Sequence, residues 1–171
     1  MASFLSKIAK QITQVIAPTP EANEDEVNRI WQDILNCTLQ DSKESLNRIH
    51  DLIQELLDII KMSMEQAKSK DVIDFLSLHQ IPMKLVNFSE GNVPNGFINE
   101  VVPFFIEFAF PPLSIYLNQQ FIFDSINKLL SLHIQSTKNT QIQFDQAKYE
   151  ILLDSLLSYV NQYPDDIEKF V

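Results

Sequence analysis

Apolar residues recur along this chain at helical spacing, in blocks separated by Pro, Asn and Asp. Phe4, Leu5, Ile8, Ile12, Val15 and Ile16 form the first stripe, with Ser3, Lys7, Lys10 and Gln11 off it, and predict an amphipathic helix over 1–17. Ala17-Pro18-Thr19-Pro20 ends that helix and starts a second, predicted over 20–39. Thr19 is placed to cap it, Pro20 suits its first position, and Glu21, Glu24, Asp25 and Glu26 complement the positive end of the helix dipole. Its core face is Val27, Ile30, Trp31, Ile34 and Leu35. Asp41 and Glu44 read as a capping box for a long helix over 42–68. There Leu46, Ile49, Ile53, Leu56, Ile60 and Ala67 keep a heptad, while Leu52, Leu57 and Ile59 widen the stripe beyond a coiled-coil seam. Burial on two sides, within a layered helical stack, is the expectation.

A shorter helix is predicted over 71–79, and Pro82 restarts the chain after Ile81. Ser89-Glu90-Gly91-Asn92-Val93-Pro94-Asn95-Gly96 is the strongest turn cluster. A helix over 98–110 follows, with Pro103 placed near its start, where a missing N–H costs least, and Pro111-Pro112 ends it. The next runs over 119–135 with Phe121, Ile122, Ile126, Leu129 and Leu130 apolar. Thr140 and Gln143 read as a second capping box for a helix to about 162, and Pro164-Asp165 opens one more. The sum is about eight helices and no strand-like alternation. Fold class is therefore all-α, one helical domain over 1–171, with 1–17 as the amphipathic helix and 20–171 as an irregular α-solenoid of the HEAT or armadillo kind.

Composition narrows the function classes. The 171 residues contain only two glycines, too few for a glycine-rich phosphate loop or a set of primed hairpin turns. Gly91 and Gly96 have the outer spacing of a P-loop, but Phe97 and Ile98 stand where Lys and Ser/Thr are needed. A formal charge of −10 disfavours nucleic acid and anionic lipid over most of the surface. The segment 1–20 carries +2 with no acid, which leaves −12 on the rest, so the 1–17 stripe suits either docking on the neighbouring helices or contact with a membrane surface. The latter defines a peripheral membrane-binding module as the alternative function. No apolar run approaches the roughly 20 residues of a membrane span, and the start lacks the pattern of a secretory signal, so a cytoplasmic location is expected.

Cys37, beside Ile34, Leu35 and Leu39, reads as a buried thiol acting as a small hydrophobe. His50, His79 and His133 lie in three different helices without a metal-ligand spacing, His50 on a solvated face. No catalytic, cofactor-binding or metal constellation emerges, and the expectation is a non-enzyme with neither cofactor nor small-molecule substrate. Seven of the 12 phenylalanines fall between Phe97 and Phe123, which suits core filling better than a peptide groove. The helix to 162 is apolar on more than one side, through Ile151, Leu152, Leu153, Leu156, Leu157, Tyr159 and Val160. This predicts an exposed apolar face and self-association through it.

From Phe75 to Leu130 the chain reads FLSLHQI, LVNF, a VPNG loop, VVPFFIEFAF, PPLSIYL and FDSINKLL. This order resembles the N-terminal region of the FTS- and Hook-interacting protein family, FHIP. The matching positions are Pro94, Gly96, Phe104, Phe105, Pro112, Leu113, Ile126, Leu129 and Leu130, all packing or turn residues. Ala17-Pro18 and Trp31 fit the family's opening, and 140–144 its link to the next helix. Two stretches depart from it. Asn118-Gln119-Gln120-Phe121 stands where many relatives have His-Arg-Pro, and Ser89-Glu90-Gly91 where they have Gly-Lys. The resemblance implies an adaptor for vesicle trafficking, with a Hook protein, FTS and a Rab GTPase as partners, peripheral on endosomes or vesicles. Family members are several times longer, so it also implies the N-terminal part of a longer solenoid.

Overall fold

The computed structural model describes residues 21–138 and 142–169. Among these are seven α-helices and no strand: α1 (Glu24–Cys37), α2 (Lys43–Glu65), α3 (Ser69–Leu78), α4 (Ile81–Glu90), α5 (Phe97–Glu107), α6 (Gln120–Ser136) and α7 (Gln146–Gln162). Short 3₁₀ turns occupy Leu113–Tyr116 and Pro164–Lys169, the latter where the sequence predicted an α-helix. The 1–17 stripe lies outside the described residues.

Packing order follows from which faces are apolar. The 23-residue α2 buries Ile49, Leu52, Ile53, Leu56, Leu57, Ile59 and Ile60, on the heptad seam and off it, because it packs on α1, α3 and α5 at once. In turn α5 packs on α2, α4 and α7, while α4 packs on α3 and α6. Neighbour to neighbour, α1, α3, α4 and α6 form one row, and α2, α5 and α7 the other. Lys61–Glu107 at 2.7 Å and His50–Glu100 at 2.7 Å match in order along α2 and α5, so those helices run the same way. Helix α1 runs antiparallel to α2, with Ala22 beside Gln66, Arg29 beside Glu55 and Asp33 beside Arg48. The core is centred on α5, where Phe97, Phe104, Phe105 and Phe108 have no exposed area.

Several local readings are corrected. Helix α1 starts at Glu24, later than expected, capped by the Asn23 side chain on the Glu26 N–H; Thr19 and Pro20 lie outside the described residues. It ends at Cys37, with Thr38 turning the chain, so Leu39 is exposed. The cap of α2 is Ser42, whose Oγ accepts from the Ser45 N–H. Asp41 serves elsewhere, accepting from the Asn95 N–H at 2.8 Å and tying the α4–α5 turn to the start of α2. Helix α7 starts at Gln146, capped by Asp145, which accepts from the Ala147 and Lys148 N–H groups; Thr140 of the expected Thr140–Gln143 capping box lies outside the described residues. Helix α5 ends at Glu107 and not at 110. Pro103 sits inside it, and the carbonyl that its missing N–H leaves open, that of Asn99, accepts from Lys148 Nζ at 3.0 Å.

The glycine-flanked turn is a packing device. Asn92, at φ 50°, accepts the Gly96 N–H with its side-chain oxygen at 2.9 Å and donates to Asn95 Oδ1. Gly96 has φ +93°, and a Cβ there would stand 3.3 Å from Leu46 Cδ2, so both backbone conformation and space favour glycine.

Candidate interaction face

Helices α6 and α7 run antiparallel at the end of the two rows, and a network of polar contacts fixes where α7 begins. The Asn99 side chain donates to the Gln143 carbonyl at 3.0 Å and accepts from the Asp145 N–H at 2.7 Å. Together with Lys148 on the Asn99 carbonyl, this clasps the start of α7 to α5. Glu100 stands between His50 at 2.7 Å and Lys148 at 3.6 Å, joining α2, α5 and α7. His50 is thus exposed but paired, not a purely solvated group. His133 stacks on Tyr149 with ring centroids 3.4 Å apart and meets Phe144 edge-on, which fastens the end of α6 to the start of α7.

Further along, the two helices leave an apolar groove of about 180 Å³ between them. Leu117 and Ile126 lie at its base, Leu130 and Phe123 line it from α6, and Leu156, Tyr159 and Val160 from α7. Beside it α7 exposes Leu153 (41%) and Leu157 (60%), which with Val160 make one stripe at spacings of four and three. Ile134 continues the apolar surface on α6. These side chains lie together because α6 and α7 each turn one apolar face inward, through Leu129 and Leu132, and Leu152 and Tyr159, and keep a second one free of charge.

The Tyr159 hydroxyl closes one end of the groove by donating to Asp166 Oδ2 at 3.0 Å. Burial first, and then the Asp166 carboxylate, push the phenol up to about 12. The folded chain therefore holds this proton more tightly than an unfolded chain, whose phenol titrates near 10. The resulting stabilisation is full below about pH 10 and is lost as pH rises through 12. Urea midpoints measured from pH 8 to 11.5 are expected to fall, and to fall less steeply for Tyr159→Phe. Burial of Tyr149 raises its phenol too, so some slope remains in that variant. Equal slopes would contradict a phenol at Tyr159 raised by burial and by Asp166.

The motif residues fall into two groups. Phe104, Phe105, Leu113, Ile126 and Leu129 are buried, and Leu130 is half-buried at the groove. Pro94 is buried in the α4–α5 turn with Gly96, and Pro112 is exposed in the turn before Leu113. Of the phenylalanine cluster, Phe97, Phe104, Phe105, Phe108 and Phe121 fill the core, whereas Phe110 is exposed and Phe123 lines the groove. Cys37 is only partly buried, less than its neighbours suggested, because α1 ends there; burial still raises its thiol. The three histidines are dispersed, and no group of three or more His, Cys, Asp or Glu among the described residues could hold a metal ion. A polar hollow between the end of α4 and α6, bounded by Glu90, Asn92 and Gln135, gathers neutral amides around a carboxylate already 3.5 Å from Lys128. No helix among the described residues is long and apolar enough to cross a membrane. No protein-family model, curated protein or solved structure matches the chain.

Proposed function

We propose that this chain is a non-catalytic helical scaffold that holds a partner protein on the α6–α7 face, and that it serves vesicle trafficking as the FHIP-like motifs suggest. The observation that carries the reading is the groove itself. It is lined almost wholly by hydrocarbon between two antiparallel helices, with exposed Leu153 and Leu157 beside it. Such a groove suits the apolar stripe of a partner helix, whose side chains at i, i+3, i+4 and i+7 would fill it. The two-row order of helices is compatible with an irregular α-solenoid. The partners suggested by the resemblance are a Hook protein, FTS and a Rab GTPase, on the cytoplasmic side of endosomes or vesicles.

Purified Hook, FTS and Rab proteins, titrated in turn against this chain, test the proposal. At least one is expected to bind, and Leu153→Glu with Leu157→Glu is expected to weaken that binding at least tenfold while leaving the circular dichroism unchanged. Both positions are exposed, so the substitutions leave the core intact. Binding of none of the three, or equal binding by the double variant, counts against the proposal.

A further inference from the structure

A second exposed face lies toward the opposite end of the row, on α3 beside the start of α1. Val72, Ile73 and Leu76 face the core, which leaves Asp71, Asp74, Phe75 and Leu78 on the outer side at spacings of three and four. Leu78 is 78% exposed, and Phe75 is half-buried beside it. The start of α1 brings Glu24 against this face, so it is acidic near the beginning of α3 and apolar toward its end. Local cations are already engaged: Lys68 with Glu21 at 2.6 Å, and Lys70 with Asp74.

The described chain starts at this face. Glu21 is held by Lys68, and the Ala22 N–H donates to Gln66 Oε1 at 3.2 Å, so residues 1–20 join the structure beside the first residues of α3. That segment has the complementary character, with the apolar stripe Phe4, Leu5, Ile8, Ile12, Val15 and Ile16, two lysines and no acid. Three residues, Pro18 to Pro20, span about 10 Å at most, which keeps residue 17 near α3. A helix over 1–17 would be about 25 Å long, against about 15 Å for the ten residues of α3, and so could run back along its whole length. We propose that residues 1–17 fold back within the same molecule and cover the outer face of α3. Ile8 then lies beside Phe75 and Leu78, and Lys10, nearer the start of α3, reaches toward Asp74.

Disulfide trapping in the full chain, in a Cys37→Ser background, tests this. The pair Ile8→Cys with Leu78→Cys is expected to cross-link within monomers at least tenfold faster than Ile8→Cys with Leu157→Cys. Adding Asp71→Lys and Asp74→Lys is expected to slow the first pair several-fold. Faster trapping at position 157 would place the segment on the α6–α7 face and overturn the proposal. Cross-links found only in dimers would assign the segment to a second copy and overturn it equally. A third contrary result is protection of residues 1–17 from hydrogen exchange only when vesicles containing anionic lipid are added.

Discussion

Replacing Phe105 by Ala is expected to lower the melting temperature by roughly 10 °C. Phe105 has no exposed area, and its ring meets that of Phe104 edge-on at 5.1 Å, while Phe104 lies 5.3 Å from Phe108. This cluster belongs to α5, which has α2, α4 and α7 around it, so no single neighbour can collapse into the space left by a missing ring. Truncation of a buried Phe costs about 3–5 kcal/mol, and each kcal/mol moves the melting temperature of a chain this size by about 2–4 °C. Calorimetry on the single variant measures it. An unchanged melting temperature accompanied by lost partner binding would make Phe105 a docking residue and not a structural one.

The second large effect concerns α2. Leu57 lies off the heptad seam formed by Ile49, Ile53, Leu56 and Ile60, yet only 1% of it is exposed. In a two-stranded coil such a position flanks the seam at its solvent edge, and its truncation costs little beside that of a seam residue. Here α2 is covered by α1, α3 and α5, so Leu57→Ala is expected to cost about 2–5 kcal/mol, as much as Leu56→Ala on the seam. Chemical denaturation of the two variants compares them directly. A Leu57→Ala loss below about 1 kcal/mol beside a large Leu56→Ala loss would mean that one side of α2 is not buried.

The apolar stripes of α1, α2 and α6 were legible because burial follows the 3.6-residue period closely enough for composition at each position to report it. The two-sided burial of α2 was legible for the same reason, from Leu52, Leu57 and Ile59. Helix starts were less legible, since neighbouring polar residues compete for the same N–H groups. Asp41 and Ser42 are both good caps, and Ser42 takes the position because the Asn95 N–H, from a turn 54 residues away, occupies Asp41. The start of α7 is set in the same long-range way: Asn99 holds the Gln143 carbonyl and the Asp145 N–H, leaving the Asp145 carboxylate to cap. Pro103 follows a local rule that places proline in a first turn, but Lys148, 45 residues later, meets the carbonyl opened by an interior proline. No pattern local to Pro103 or to Lys148 marks that pairing, since Lys148 also has Asp145 three residues before it. The α6–α7 face was foreshadowed by apolar residues on more than one side of the last long helix. The groove that adds Phe123 and Leu130 from α6 depends on the antiparallel placement of the two helices, which no local pattern encodes.

The central claim is that the apolar α6–α7 face holds a partner protein. Its most direct measurement is isothermal titration of whichever of Hook, FTS or Rab binds, into the parent chain and into the Leu153→Glu, Leu157→Glu variant, with sedimentation of each chain alone as the reference for self-association. The account predicts saturable binding by the parent, at least tenfold weaker binding by the variant, and equal melting temperatures for the two. Equal affinities in parent and variant, at equal stability, would contradict it.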